Sequence, residues 1–213
     1  MKKITKTMRH LGLKAEVCCR RSFFGCSRNN SSLKAGVLVK FLDIKRIHIL
    51  GIYGSGKSTF ALSLSKRLNI RCYDLDEIKY KRKFDKIRSL KERLKIIRNI
   101  SRKTSWITEG AWTSYAAPVY RNADLVVFLK IPEPRIYWRI LKRYIRRRSD
   151  STKYEKDTIL TTLCIMRQVF RYFHKPKSFM TLQSHKECID TYAKKYILLR
   201  NQKEINAFLD KVR

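Results

Sequence analysis

Residues 51–59 read Gly-Ile-Tyr-Gly-Ser-Gly-Lys-Ser-Thr, a complete G-x-x-x-x-G-K-S pattern. Few short motifs restrict a fold so strongly. Gly51, Gly54 and Gly56 let the backbone curl until several N–H groups converge on one point, which a following helix makes electropositive through its N-terminal dipole. Such a loop requires a strand before it and a helix after it, and both are legible. Residues 46–50 form a short apolar run, and Phe60, Leu62, Leu64 and Leu68 recur through residues 59–68 as a helix does. The converging groups suit phosphate oxygens. In a nucleoside triphosphate complex Lys57 would reach the β- and γ-phosphates, and the Ser58 hydroxyl would complete a magnesium shell that is otherwise mostly water. Ser55 and Thr59 complete the nucleotide-binding set with Gly51, Gly54, Gly56, Lys57 and Ser58.

The rest of the chain repeats this alternation. Candidate strands lie at 46–50, 71–74, 106–108, 125–130 and 195–199, mostly continuous apolar runs of the kind buried on both faces of a parallel sheet. Between them run helical stripes: Ile87, Leu90, Leu94, Ile97 and Ile100; Ile159, Leu163, Met166, Phe170 and Phe173; and Ile205, Phe208, Leu209 and Val212. All three stripes are expected to face the core. Strands alternating with helices predict a doubly wound α/β domain over residues 44–213, whose ligands sit beyond the carboxyl ends of the strands. Residues 1–43 show no sustained period and are read as a basic, poorly ordered extension.

Three further features fall near the expected strand ends. In Tyr73-Asp74-Leu75-Asp76-Glu77, strand alternation puts Asp74 and Asp76 on one side. Asp76 is suited to position an acceptor hydroxyl or to hold magnesium through water; its structural alternative is a helix N-cap. Trp106-Ile-Thr-Glu109-Gly110 ends an apolar strand in an acid, and Glu109 is suited to orient a magnesium-bound water, the alternative being a surface glutamate in a turn. Arg135, Arg139, Lys142, Arg143 and Arg146 share one helix face, with no acid between Glu133 and Asp150. Such a stripe repels itself unless an anion faces it.

Charge agrees with an anionic partner. The 213 residues carry 50 Lys/Arg against 17 Asp/Glu, a formal net charge of +33, and residues 44–213 alone hold +25 of it. This field attracts nucleotides and nucleic acid alike. No apolar stretch approaches the length of a membrane span, and Lys14 and Glu16 interrupt what would be the apolar part of a signal peptide. A cytoplasmic protein without membrane insertion is therefore expected. The six cysteines have no framework or metal-site spacing and read as free thiols.

Together the motifs resemble the adenylate-kinase-like branch of small phosphate-loop kinases, and within it proteins of bacteria and archaea often labelled DNA topology modulation proteins or AAA-family ATPases. The resemblance rests on Gly51 to Thr59, Leu75-Asp76 with Tyr80, Trp106 to Trp112, Ala123-Asp124 through Phe128-Leu129 to Pro132, and Arg135 to Arg148. It implies a P-loop NTPase fold with a five-stranded parallel sheet of order 2-3-1-4-5. It also implies ATP with Mg2+, and an arginine-rich mobile lid at about 133–155 carrying Arg139 and Arg143. The expected activity is kinase transfer of the ATP γ-phosphate to a nucleotide or small hydroxyl acceptor. Lys57, Arg139 and Arg143 would stabilise the transferring group, and Asp76 would position the acceptor. The alternative is a nucleic-acid-associated ATPase or a regulatory nucleotide-binding module.

Overall fold

A computed structural model describes residues 44–81, 87–112, 115–149, 158–175 and 180–212, all belonging to one compact unit. The expected extension at 1–43 and the end of the expected lid lie outside the described residues. The elements, in chain order, are β1 (Arg46–Leu50), α1 (Lys57–Leu68), β2 (Cys72–Asp74), α2 (Leu75–Lys79), α3 (Leu90–Ser101), β3 (Trp106–Gly110), α4 (Ala117–Asn122), β4 (Leu125–Leu129), α5 (Glu133–Ser149), α6 (Ile159–His174), α7 (Leu182–Tyr192), β5 (Tyr196–Leu199) and α8 (Gln202–Lys211).

The strands form one parallel sheet of order β2-β3-β1-β4-β5. Burial follows that order. Every residue of β3 and β4 is buried, as is β1 after Arg46, whereas the edge strands β2 and β5 are mostly half-exposed. Continuous apolar runs such as Leu-Val-Val-Phe-Leu in β4 are what a strand covered on both faces requires. One core layer packs Phe60, Leu64, Ile136, Ile140, Val169 and Phe208 against the sheet, and the other packs Leu75, Ile97, Val119, Tyr120 and Ile189.

Capping explains several helix starts. Ser89 and Glu92 form a reciprocal capping box at α3, Thr181 and Ser184 do so at α7, and Asn201 caps α8. Each such cap contributes about 0.5–2 kcal/mol. Helix α3 therefore begins at Leu90 rather than at Ile87, which instead forms an isolated antiparallel bridge with Tyr80.

The third helical stripe behaves as expected, with Ile205, Phe208 and Val212 buried. The second does so only in part. Met166 and Phe173 of that stripe pack against the core as expected, but the most buried residues of α6 are Thr162, Val169 and Tyr172, and Ile159, Leu163 and Phe170 face outward. The buried stripe is disguised by two hydroxyls, each satisfied locally: Thr162 Oγ1 donates to the Thr158 carbonyl at 3.3 Å, and Tyr172 Oη meets His185 Nδ1 at 2.7 Å. His185 in turn joins its Nε2 to the Ala111 carbonyl at 2.8 Å, tying α6 and α7 to the chain just past β3. Burial pushes the His185 imidazole down to about 4, so it stays neutral near pH 7.

Candidate active site

The phosphate loop leaves the carboxyl end of central strand β1. Gly54 and Gly56 adopt φ of 77° and 90°, the left-handed region where a side chain is strained, and Gly56 is the N-cap of α1. No side chain caps α1 and no acid stands in its first turn. Its leading N–H groups thus face the loop without internal competition. Ser58 and Thr59 are exposed in that first turn, whereas Lys57 is 8% exposed and points inward.

Lys57 Nζ lies 3.5 Å from Glu109 Oε2 and 5.8 Å from the centroid of the Tyr53 ring. Glu109 is 3% exposed, which replaces the surface-turn alternative with a buried carboxylate. Its Oε2 accepts no hydrogen bond among the described residues, leaving the long ion pair as its compensation. Sheet register explains the placement. Glu109 is the partner of Ile49 on β1 and of Asp74 on β2, so two acids and the strand feeding the phosphate loop end side by side.

The Asp74/Asp76 expectation needs correction. Strand β2 stops at Asp74, so alternation does not carry on to Asp76. Asp74, not Asp76, is the N-cap: its Oδ1 accepts the Asp76 N–H at 2.7 Å and opens α2. Asp76 sits in the first turn of α2, where Trp112 Nε1 donates to its Oδ1. Burial, then the Glu109 charge, pushes the Asp74 carboxyl up to about 6, against the hydrogen bond from the Asp76 N–H. The neighbourhood is aromatic and cationic: Lys79 Nζ stands 4.2 Å from the Trp112 ring centroid, Trp112 stacks on Tyr115 at 5.9 Å, and the Arg93 guanidinium lies 4.9 Å from the Tyr115 ring.

On the other side of the loop, α5 supplies the cationic stripe. Arg139 Nη1 donates to the Ser55 carbonyl at 2.6 Å and Nη2 to Gln202 Oε1 at 3.0 Å. The guanidinium packs against Gly56, where an added Cβ would come within 3.1 Å of Nη1. Arg139, Lys142, Arg143, Arg146 and Arg147 line a cleft of about 680 Å³ with Gly54 to Thr59 and with Gln202, Ile205, Asn206 and Leu209 of α8. No acid lines it among the described residues. Arg135 is not part of the lining, and Gly51 is buried at the end of β1. Arg147, Gln202 and Asn206 were not singled out by sequence; Arg147 lay in a run of three arginines, and polar residues opening a C-terminal helix carry no distinguishing signal.

A five-stranded parallel sheet of order 2-3-1-4-5, with the G-x-x-x-x-G-K-S loop between its central strand and the next helix, is the P-loop NTPase fold in its adenylate-kinase-like form. No family model matches the chain. Over 105 residues it is 38% identical to the uncharacterized protein YqaC of Bacillus subtilis (strain 168), a match covering 47% of this chain and 59% of that protein. The chain thus spans about three-fifths of that relative's length. Similar solved structures include shikimate kinase from Acinetobacter baumannii in complex with shikimate, at TM-score 0.47 and 16% identity, covering 81% of this chain and 93% of that one. A gluconokinase from Sinorhizobium meliloti 1021 is similar at TM-score 0.47 and 10% identity, covering 80% of this chain and 92% of that one.

Proposed function

We propose that this protein is a magnesium-dependent phosphotransferase that moves the γ-phosphate of ATP to a hydroxyl of a nucleotide or small-molecule acceptor. The observation that carries this reading is the meeting of Lys57, Glu109 and Asp74 where β1, β2 and β3 end, between a cation-lined cleft and the Asp76–Trp112 corner.

The donor half reads directly from the loop. Backbone N–H groups of residues 54 to 59 hold the phosphates, and Lys57 leaves its 3.5 Å pairing with Glu109 to meet β- and γ-oxygens that carry more charge. The residues present fit magnesium, because Ser58 exposes its hydroxyl at the loop and Glu109 keeps a buried oxygen without a hydrogen bond. A bound magnesium ion, held by Ser58 and through water by Glu109, would neutralise charge on the phosphate oxygens. Arg139 and Arg143 approach from α5, where guanidinium forks can follow the transferring phosphoryl group. Gln202, Ile205, Asn206 and Leu209 form the α8 wall of the cleft and suit the nucleoside.

On the acceptor side, Asp76 positions the incoming hydroxyl. Trp112 occupies Oδ1, leaving Oδ2 with no hydrogen-bond partner among the described residues. Asp74, raised to about 6, is ionised at neutral pH and is a second group able to take the proton.

A rival reading, a nucleic-acid-associated ATPase, draws on Lys91, Lys95, Arg98 and Arg102, exposed along one face of α3. Incubation with magnesium ATP and a panel of nucleoside monophosphates, nucleosides and small alcohols separates the two. The kinase reading expects phosphate to appear in one acceptor class. Steady hydrolysis to ADP, no transfer to any acceptor and stimulation by DNA or RNA would replace it with the rival.

A further inference from the structure

Helices α5 and α6 expose apolar side chains that neither the core nor the cleft uses. On α5, Trp138, Leu141 and Ile145 follow i, i+3, i+7 spacing and are 65%, 40% and 57% exposed. On α6, Ile159, Leu160, Leu163 and Phe170 are 59%, 69%, 54% and 48% exposed. The helices pack against each other, and the start of α5 meets the end of α6 through Glu133 Oε2 and His174 Nε2 at 2.8 Å. They therefore run in opposite directions. Phe170 contacts His174 with ring centroids 4.6 Å apart, so the outward face of α6 that carries Ile159, Leu163 and Phe170 borders α5. The apolar band thus follows the seam of the two helices, and bands of this kind on a protein surface mark interaction sites.

What flanks the band selects its occupant. Arg135 and Arg148, neither of which lines the cleft, lie beside it on α5, and Arg167 and Arg171 lie beside it on α6. Glu133 is the only acid on either helix, and it is already engaged by Tyr137 at 2.7 Å and by His174. A second copy of this chain, formally +33, would bring the same cations against these. A nucleic-acid backbone would answer the cations and offer nothing to Trp138, Leu141 and Leu163. A surface of anionic headgroups over hydrocarbon answers both. Tryptophan and aliphatic side chains enter the headgroup boundary, while flexible Lys and Arg stems reach the lipid phosphates.

We infer that the α5–α6 face seats the protein on an anionic membrane surface, with Trp138, Leu141 and Ile145 entering the headgroup boundary and the flanking cations meeting lipid phosphates. Attachment lies in the plane of the surface, since no helix among the described residues is long and apolar enough to cross a membrane. Arg139 stays bonded to the phosphate loop on another face of α5, so docking leaves the cleft accessible.

The test uses the full chain and vesicles of phosphatidylcholine with or without phosphatidylglycerol, at low and high salt. Binding is expected only to the anionic vesicles and to weaken with salt. Tryptophan emission should shift to the blue and be quenched by brominated lipid. Of the three tryptophans, Trp106 is buried and Trp112 is held by Asp76, so Trp138→Phe should retain binding and lose the quenching. The triple variant Trp138→Ser, Leu141→Ser, Ile145→Ser should melt where the parent melts and bind anionic vesicles about tenfold more weakly or worse. Any of three results overturns the inference: no binding of the parent chain to anionic vesicles, unchanged vesicle binding by a folded triple variant, or loss in that variant of self-association or duplex-DNA affinity instead.

Discussion

The two halves of the site at the carboxyl end of β1 are built differently. On the proposed donor side, recognition is mostly backbone: Gly54 and Gly56 in left-handed conformations, an uncapped helix start, and a cationic wall with no acid among the described residues. On the proposed acceptor side it is all side chain, with Asp76 held by Trp112 beside Asp74, and Lys79, Arg93 and Tyr115 gathered around that tryptophan. A backbone cradle needs particular residues at particular spacing, because only glycine tolerates those torsions. A side-chain pocket can be assembled from segments far apart in sequence, with many solutions. Under the proposed function, the donor chemistry is therefore generic to the loop, and the acceptor is the part that individualises this protein.

The largest effect should come from the residue that joins the halves. Lys57→Ala is expected to lower ATP turnover by about a thousandfold or more, measured with saturating magnesium ATP, because it removes the buried cation proposed to meet the transferring group and leaves Glu109 unpaired. Arg139→Ala should come next, at about a hundredfold in kcat. Lysine should rescue it poorly, since a compact ammonium lacks the planar fork whose two nitrogens reach the Ser55 carbonyl and Gln202. If Arg139→Lys were fully active, the donor wall would be a charge reservoir rather than a geometric clamp.

A smaller effect distinguishes the acceptor side by its protons. The Asp74 carboxyl is raised from 3.8 to about 6, so the folded protein holds that proton more tightly than the unfolded chain does. Its contribution to stability is therefore greatest below about pH 4, declines as pH rises to about 6, and is flat above. Melting midpoints measured without nucleotide should show this decline superimposed on the other titrations. Asp74→Asn, which still caps α2, should remove it. An unchanged pH profile in that variant would mean that Asp74 titrates as an ordinary surface acid.

Much of the fold was legible because its signals are local. The run 46–50, the glycines after it and the apolar strands at 106 and 125 each report their own burial, whereas the sheet order came only from the family resemblance that the motifs carry. The misreadings were of two physical kinds. At Asp74, a carboxylate bound its own backbone two residues on and ended the strand early, which strand alternation does not anticipate. On α6, Thr162 and Tyr172 hid the core stripe behind hydroxyls satisfied by Thr158 and His185, and Ile159, Leu163 and Phe170 of the expected stripe lay outside while Met166 and Phe173 reached the core. Trp112 against Asp76 and Arg139 against Ser55 are long-range pairings, 36 and 84 residues apart, with no trace in local pattern.

The division of the site into donor and acceptor halves is tested most directly by the affinity for magnesium ATP of Lys57→Ala and Asp76→Asn, measured by titration calorimetry beside phosphoryl transfer. The account predicts that Lys57→Ala loses both affinity and transfer, whereas Asp76→Asn binds magnesium ATP like the parent and transfers nothing. Equal loss of ATP affinity in the two variants would contradict it, moving Asp76 from the acceptor to the metal and merging the two halves into one.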